Sequence, residues 1–247
     1  MANSSIYNRL FTIQKGGGKG IGGKGIGKTG FRFDKMLDIL FEKRQLLVMI
    51  FANLIVQLGI TYYVFLHTNA TQIKELNINT FFLIAGLFAI LFIIALVPMP
   101  TWLKFILFCV FSYLQGFLLS SIKTEFNQKM VQTAIVGVLS IFVFMFTFGL
   151  GLIAFGVYLT NSVGLFLFWC LLCLILFSVV TMFIGTTSIM QQIFAFISLI
   201  IFSVYIIYDT NTILQRNYSG DFITASMDYY LDIINIFLDI LRLNNNN

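Results

Sequence analysis

Long apolar segments alternate with short polar connections along most of the chain. A membrane-spanning helix needs about 20 predominantly apolar residues. Six segments satisfy this condition: Leu46–Leu66, Thr80–Val97, Trp102–Ser121, Gln132–Ile153, Val163–Ile184 and Ser188–Tyr208. A weaker seventh runs from about Ser226 to Leu243. The first six contain no Asp or Glu, and Lys104 is their only charged residue. The pattern predicts an all-α integral membrane protein, built as a single seven-helix bundle.

The composition supports this prediction. Hydrophobic residues make up 59% of the 247 residues and charged residues 10%, against about 25% charged in a soluble domain. Mean hydropathy is +0.93. A water-soluble globule cannot hide so much apolar surface, so soluble enzymes and soluble binding domains are excluded. The expected surroundings are a lipid bilayer.

Positive charge is concentrated at the start of the chain. The first 45 residues hold nine of the 15 Lys and Arg, so the net charge of +5 belongs mainly to this region. We expect residues 1–45 to form a flexible, basic, Gly/Lys-rich cytoplasmic tail followed by a juxtamembrane helix, with no nucleic-acid-binding role. Residues 46–243 would form the seven-span domain, and residues 244–247 an Asn tail.

Three features resemble enzyme or metal-binding motifs, but their surroundings in the sequence argue against such a role. Gly22–Thr29 matches the P-loop pattern, yet the match lies in a Gly/Lys repeat with no α/β domain after it. Cys170 and Cys173 have CxxC spacing, but lie in an apolar run without further metal ligands nearby. His67 is the only histidine and lies at the edge of the first span. We expect no enzyme and no cofactor.

A polar stripe marks the seventh segment. At about 100° per residue, its polar members fall within an arc of about 80°: Asp228, Asp232, Asn235, Asp239 and Arg242. A lipid-facing helix would not carry such a stripe, so we predict a central seventh helix whose stripe faces a polar interior or an ion path. The alternative is that these groups only join helices through hydrogen bonds.

Asp209 lies at the end of the sixth segment, and Asp232 lies within the seventh. Placing a carboxyl group at membrane depth costs free energy, so both are candidate functional residues. Two carboxylates in a dry place cannot both ionise, so such a pair shares a proton until the pH rises or a cation arrives. Carboxylate oxygens are also natural Ca²⁺ ligands. The pair is a candidate pH sensor and a candidate Ca²⁺ site.

Four C-terminal motifs resemble the signature of the Bax inhibitor-1 family, also called the transmembrane Bax inhibitor motif or Lifeguard family. They are Tyr205–Asn211, Gly220-Asp221, Tyr230–Phe237 and Leu241–Leu243. The resemblance implies a seventh helix wrapped by the other six, a pH-sensitive Ca²⁺ leak across endoplasmic reticulum or Golgi membranes, and suppression of cell death. It also implies that Asp209 and Asp232 are the paired aspartates that share a proton and gate the pore.

The chain departs from the family pattern at the second span. Some members have an Arg at its inner end that latches onto the first aspartate, whereas this chain has Leu96–Pro100 there. Lys104 and Arg216 are candidate replacements for this latch. Asp228 and Asp239 are extra acids, so the opening pH and the ion preference are expected to differ.

A second function remains open at this point. The protein could restrain cell death through contacts with cell-death regulator proteins, without conducting ions.

Overall fold

The computed structural model of the protein describes residues 33–68, 80–123, 126–185, 187–215 and 221–244. All the regular structure in these ranges is helical, in seven helices. They are α1 (Phe33–His67), α2 (Thr80–Leu96), α3 (Thr101–Ser121), α4 (Gln128–Ala154), α5 (Asn161–Ile184), α6 (Ser188–Gln215) and α7 (Phe222–Asn244). The predicted all-α, seven-helix fold is confirmed.

The helices differ in how well they suit a bilayer. By length and hydropathy, five are suited to cross one: α1, α3, α4, α5 and α6. Helix α2 is apolar but has 17 residues, and α7 carries the acidic stripe. The chain is therefore a multi-pass membrane protein by composition and by structure.

Two helices extend well beyond the apolar segments that predicted them. Helix α1 starts at Phe33 and continues without a break to His67, so the expected juxtamembrane helix is the beginning of the first span rather than a separate element. Helix α6 continues past Tyr208 to Gln215, which places Asp209 inside the helix rather than at its end. The predicted tail before residue 33 lies outside the described residues.

Helix α7 occupies the centre of the bundle. It packs mainly against α6, α1 and α4, and less extensively against α3, while α2 packs on α3 and α5 on α6. Tyr229 and Tyr230 are both fully buried. Consecutive helical residues point about 100° apart, so their joint burial means that neighbours enclose α7 on more than one side. The expected central position of the seventh helix is confirmed.

Close approach between helices depends on glycine at two positions. A Cβ atom on Gly116 of α3 would lie 2.5 Å from the carbonyl oxygen of Thr61 on α1. A Cβ atom on Gly149 of α4 would lie 2.9 Å from Cβ of Thr210 on α6. These contacts bring the walls of the bundle close around α7.

Candidate functional site

The two aspartates selected from the sequence meet between α6 and α7. Asp209 and Asp232 are 8% and 3% exposed, and their side chains lie within hydrogen-bonding reach of each other. The contact arises because α6 and α7 are joined by a short connection and pack side by side, which brings the end of α6 alongside the first half of α7.

The contact has a chemical requirement. A hydrogen bond between two carboxyl groups needs a proton on one of them, because two ionised carboxylates are both acceptors. Oδ2 of Asp232 accepts no hydrogen bond from the donors of the described residues. This buried oxygen is therefore available to a carboxyl proton or to a cation.

A third acid lies beside the pair. Asp228, one helical turn before Asp232, is half-buried and acts on both members of the pair through its charge. Within the described part of the chain, no group of three or more His, Cys, Asp or Glu is arranged to hold a metal ion. Two carboxyl groups supply at most four of the six to eight oxygens that Ca²⁺ takes. A Ca²⁺ ion at the pair would therefore need several ligands from water or backbone.

Aromatic and hydroxyl groups lie next to the aspartate pair. The Tyr229 hydroxyl lies 2.9 Å from the hydroxyl of Thr210, the residue after Asp209. The Tyr229 ring stacks on Phe51 of α1 and meets Phe142 and Phe146 of α4 edge-on. Tyr229 therefore joins the segment next to Asp209 to aromatic residues of α1 and α4.

The rest of the polar stripe is divided between the interior and the surface. Asp239 is 1% exposed. Its Oδ1 lies 3.6 Å from Arg242, Ser198 of α6 lies close to it, and its Oδ2 has no hydrogen-bond partner among the described residues. The Arg242 side chain is 57% exposed. Asn235 donates to the Leu231 carbonyl of its own helix at 2.7 Å.

Lys104, proposed from the sequence as a latch on Asp209, binds a different aspartate. Its Nζ lies 2.5 Å from Oδ2 of Asp221 and 3.2 Å from the Thr224 hydroxyl. In this structure Lys104 therefore joins the start of α3 to the start of α7, and its role as a latch on Asp209 stays a prediction. The other candidate, Arg216, lies outside the described residues.

Asp221 also caps α7, since its Oδ1 accepts the backbone N–H of Thr224 at 3.1 Å. Burial acts to raise its pKa, but the bonds from Lys104 and Thr224 outweigh burial and lower the pKa below its ordinary value. Asp221 is therefore held in its ionised form.

Sequence reasoning missed a buried polar network between α1, α3 and α7. Asn53 bonds Ser226 at 2.5 Å and Gln57 at 3.1 Å. Ser112 donates to Gln57 at 2.8 Å, and the Thr61 and Tyr230 hydroxyls lie 2.5 Å apart. The available signal was the spacing of four between Asn53, Gln57 and Thr61, which places them on one helix face.

Comparison with protein families gives one match over most of the chain. Residues 43–247 match the family model described as "Inhibitor of apoptosis-promoting Bax1". The match includes both aspartates and all the helices described above except the first ten residues of α1.

Individual relatives agree with the family match. Bax inhibitor 1 of Schizosaccharomyces pombe is 30% identical over 172 residues, covering 68% of this chain and 62% of that protein. Protein Lifeguard 4 of Arabidopsis thaliana is 37% identical over 83 residues, and an uncharacterized protein of Helicobacter pylori 35% identical over 82. The Lifeguard 4 alignment spans 34% of each protein, so this chain covers about a third of that relative's length.

Proposed function

Since the chain belongs to the Bax inhibitor-1 family, we propose that it is a pH-sensitive Ca²⁺ leak channel of intracellular membranes that suppresses cell death. The observation that supports this proposal best is the buried contact between Asp209 and Asp232. Carboxyl groups are rare within membrane segments, and they commonly belong to ion pathways or proton relays. In this proposal the same pair holds the proton and binds the cation.

The proposed gating follows from charge. While the pair shares a proton, one hydrogen bond holds α6 and α7 together. Loss of that proton leaves two negative charges in contact at low dielectric, where repulsion is strong. Separation of the carboxylates then opens room for a cation, which compensates the charge. Proton concentration would in this way control Ca²⁺ passage.

Reconstituted liposomes containing a Ca²⁺ indicator test the channel. We expect the wild-type protein to pass Ca²⁺ at a rate that changes with pH, and the double variant Asp209→Asn/Asp232→Asn to lose that change. Asp38→Asn is the matched control, because Asp38 is an exposed acid on α1. An equal pH profile for the wild type and the double variant would disprove gating by the pair.

Suppression of cell death is tested separately in cells that express an apoptosis-promoting Bax protein. We expect the wild type to raise survival and the double Asn variant to raise it less. If the double variant conducts no Ca²⁺ yet protects fully, the second function considered from the sequence, a non-conducting interaction protein, is correct instead.

We propose an orientation with the N-terminus in the cytoplasm of an endoplasmic reticulum or Golgi membrane. Lys and Arg that flank the spans are more frequent on the side of the first residues, which is the cytoplasmic side in most membrane proteins. Protease digestion of an N-terminal tag on intact microsomes checks this orientation: the tag should be cut without detergent.

A further inference from the structure

A cavity of about 350 Å³ lies between α1, α3, α4 and α7, and neither Asp209 nor Asp232 lines it. Its volume is in the range of small-molecule sites. The lining is almost wholly apolar. Helix α7 contributes Ile233, Ile234 and Phe237, and the walls include Phe65 of α1 and Val138 of α4.

The cavity opens sideways between α1 and α4. These helices pack together at their other ends, where Leu47 belongs to one buried apolar cluster with Leu150 and Ile153. The cavity lies between the two helices further along. Tyr62 and Leu139 line the cavity and are about half exposed, at 48% and 51%, so they lie at the edges of its opening. Exposed apolar residues surround the opening on α4, which indicates that it faces the hydrocarbon of the bilayer.

A positive charge lies at one end of the opening. The Nζ atom of Lys123, just after α3, lies 5.5 Å from the ring centroid of Phe65. It donates one hydrogen bond to the Leu66 carbonyl, at 2.7 Å. A Lys ammonium has three donors, so with respect to the described residues two remain for another acceptor. An apolar cavity with a cation at its end matches a molecule with a hydrocarbon chain and an anionic head.

We propose that this cavity is a binding site for an acidic phospholipid of the surrounding membrane. One acyl chain fills the space over α7, and the phosphate lies beside Lys123. The lipid would then contact α7 at Ile233, the residue that follows Asp232. This site does not depend on ion conduction, and its test does not measure conduction.

Photo-crosslinking on the wild-type protein gives the first test. The protein is reconstituted in vesicles that contain phosphatidylglycerol with a diazirine on its acyl chain, and the labelled residues are identified by mass spectrometry. We expect label on Ile233, Ile234 or Phe237, which lie in the interior of the bundle, 5 to 9% exposed. Label confined to the outer faces of the helices would mean annular lipid only and would overturn the proposal.

A pair of substitutions of equal size on α4 gives the second test. Val138→Phe places a ring in the cavity, whereas Val136→Phe adds the same ring on the outer face, where Val136 is 64% exposed. We expect Val138→Phe to reduce the phosphatidylglycerol retained through purification by at least threefold and Val136→Phe to leave it unchanged. Equal retention by the two variants would contradict the site.

Lys123→Gln tests the head group. We expect it to remove the preference for phosphatidylglycerol over phosphatidylcholine while crosslinking on α7 continues. If the wild type already labels α7 equally with both lipids, the acidic head group plays no part and the proposal fails.

Discussion

At the scale of single residues, Asp221 combines two roles that usually belong to different side chains. One oxygen caps α7 through Thr224, and the other binds Lys104. It thereby fixes where α7 begins and ties that point to α3. The sequence marked Asp221 as part of a motif, but it could not show the partner, because Lys104 lies 117 positions away.

Substitutions at Asp221 separate the cap from the salt bridge. Asp221→Asn keeps a capping oxygen and loses the charge, so we expect a loss of up to about 1 kcal/mol in the free energy of unfolding. Asp221→Ala loses both, which adds about 1 kcal/mol for the cap. Thermal unfolding in detergent measures the order: wild type, then Asn, then Ala. Equal melting temperatures for Asn and Ala would exclude the capping role.

The same residue predicts a pH dependence. The pKa of Asp221 is lowered in the folded protein from its ordinary value of 3.8, so its ionised form stabilises the fold above that value. This contribution is lost as the pH falls through the lowered pKa. We therefore expect the melting-temperature difference between wild type and Asp221→Asn to be full at pH 6 and to shrink below about pH 4. A difference that grows in acid would contradict this assignment.

At the scale of helices, the contact between α1 and α3 depends on Gly116. A Cβ atom there would lie 2.5 Å from the Thr61 carbonyl oxygen and 2.9 Å from Val64. We expect Gly116→Ala to push the helices apart and to cost about 1–3 kcal/mol. The control is Gly59→Ala on α1, where the added methyl group meets open space; it should be neutral or stabilise by up to about 1 kcal/mol. Thermal unfolding compares the two, and similar shifts would show that the contact is unimportant.

Hydropathy predicted the positions of the helices, but it did not predict the start of α1 or the end of α6. The sixth apolar segment stops at Tyr208 because four polar residues follow, Asp209 to Thr212. The helix continues because the protein satisfies them: Thr210 donates to the Ile206 carbonyl at 2.7 Å, and Asn211 bonds Val157 and Leu159. Partners from distant segments cannot be seen in a local pattern.

At the scale of the whole molecule, the hydrophobic pattern predicted the bundle and the polar stripe predicted the central seventh helix. Depth in the membrane and the C-terminal motif selected Asp209 and Asp232 as candidates. The lateral cavity and the partners of Gln57 and its neighbours on α1 could not be predicted, because both depend on how α1, α3, α4 and α7 are arranged around one another. Periodicity reports which face of a helix is buried but not which helix covers it.

The basic tail gives a prediction for the whole protein. Since α1 begins at Phe33, deletion of residues 1–30 leaves every described helix complete. We expect the shortened protein to keep its Ca²⁺ flux and its pH profile in liposomes. Loss of cell protection with unchanged flux would assign the protective effect to tail contacts, whereas loss of flux would contradict a channel built from the helices alone.

Helix α6 is held on two sides by residues only two positions apart. Asp209 contacts Asp232 of α7, while Asn211 bonds the backbone of the α4–α5 connection at Leu159 and Val157, at 2.8 and 3.1 Å. A rotation of α6 that pulls the aspartates apart must also stretch the bonds on the other side. The α4–α5 connection lies at the surface and would therefore shift when the aspartate pair loses its proton and separates.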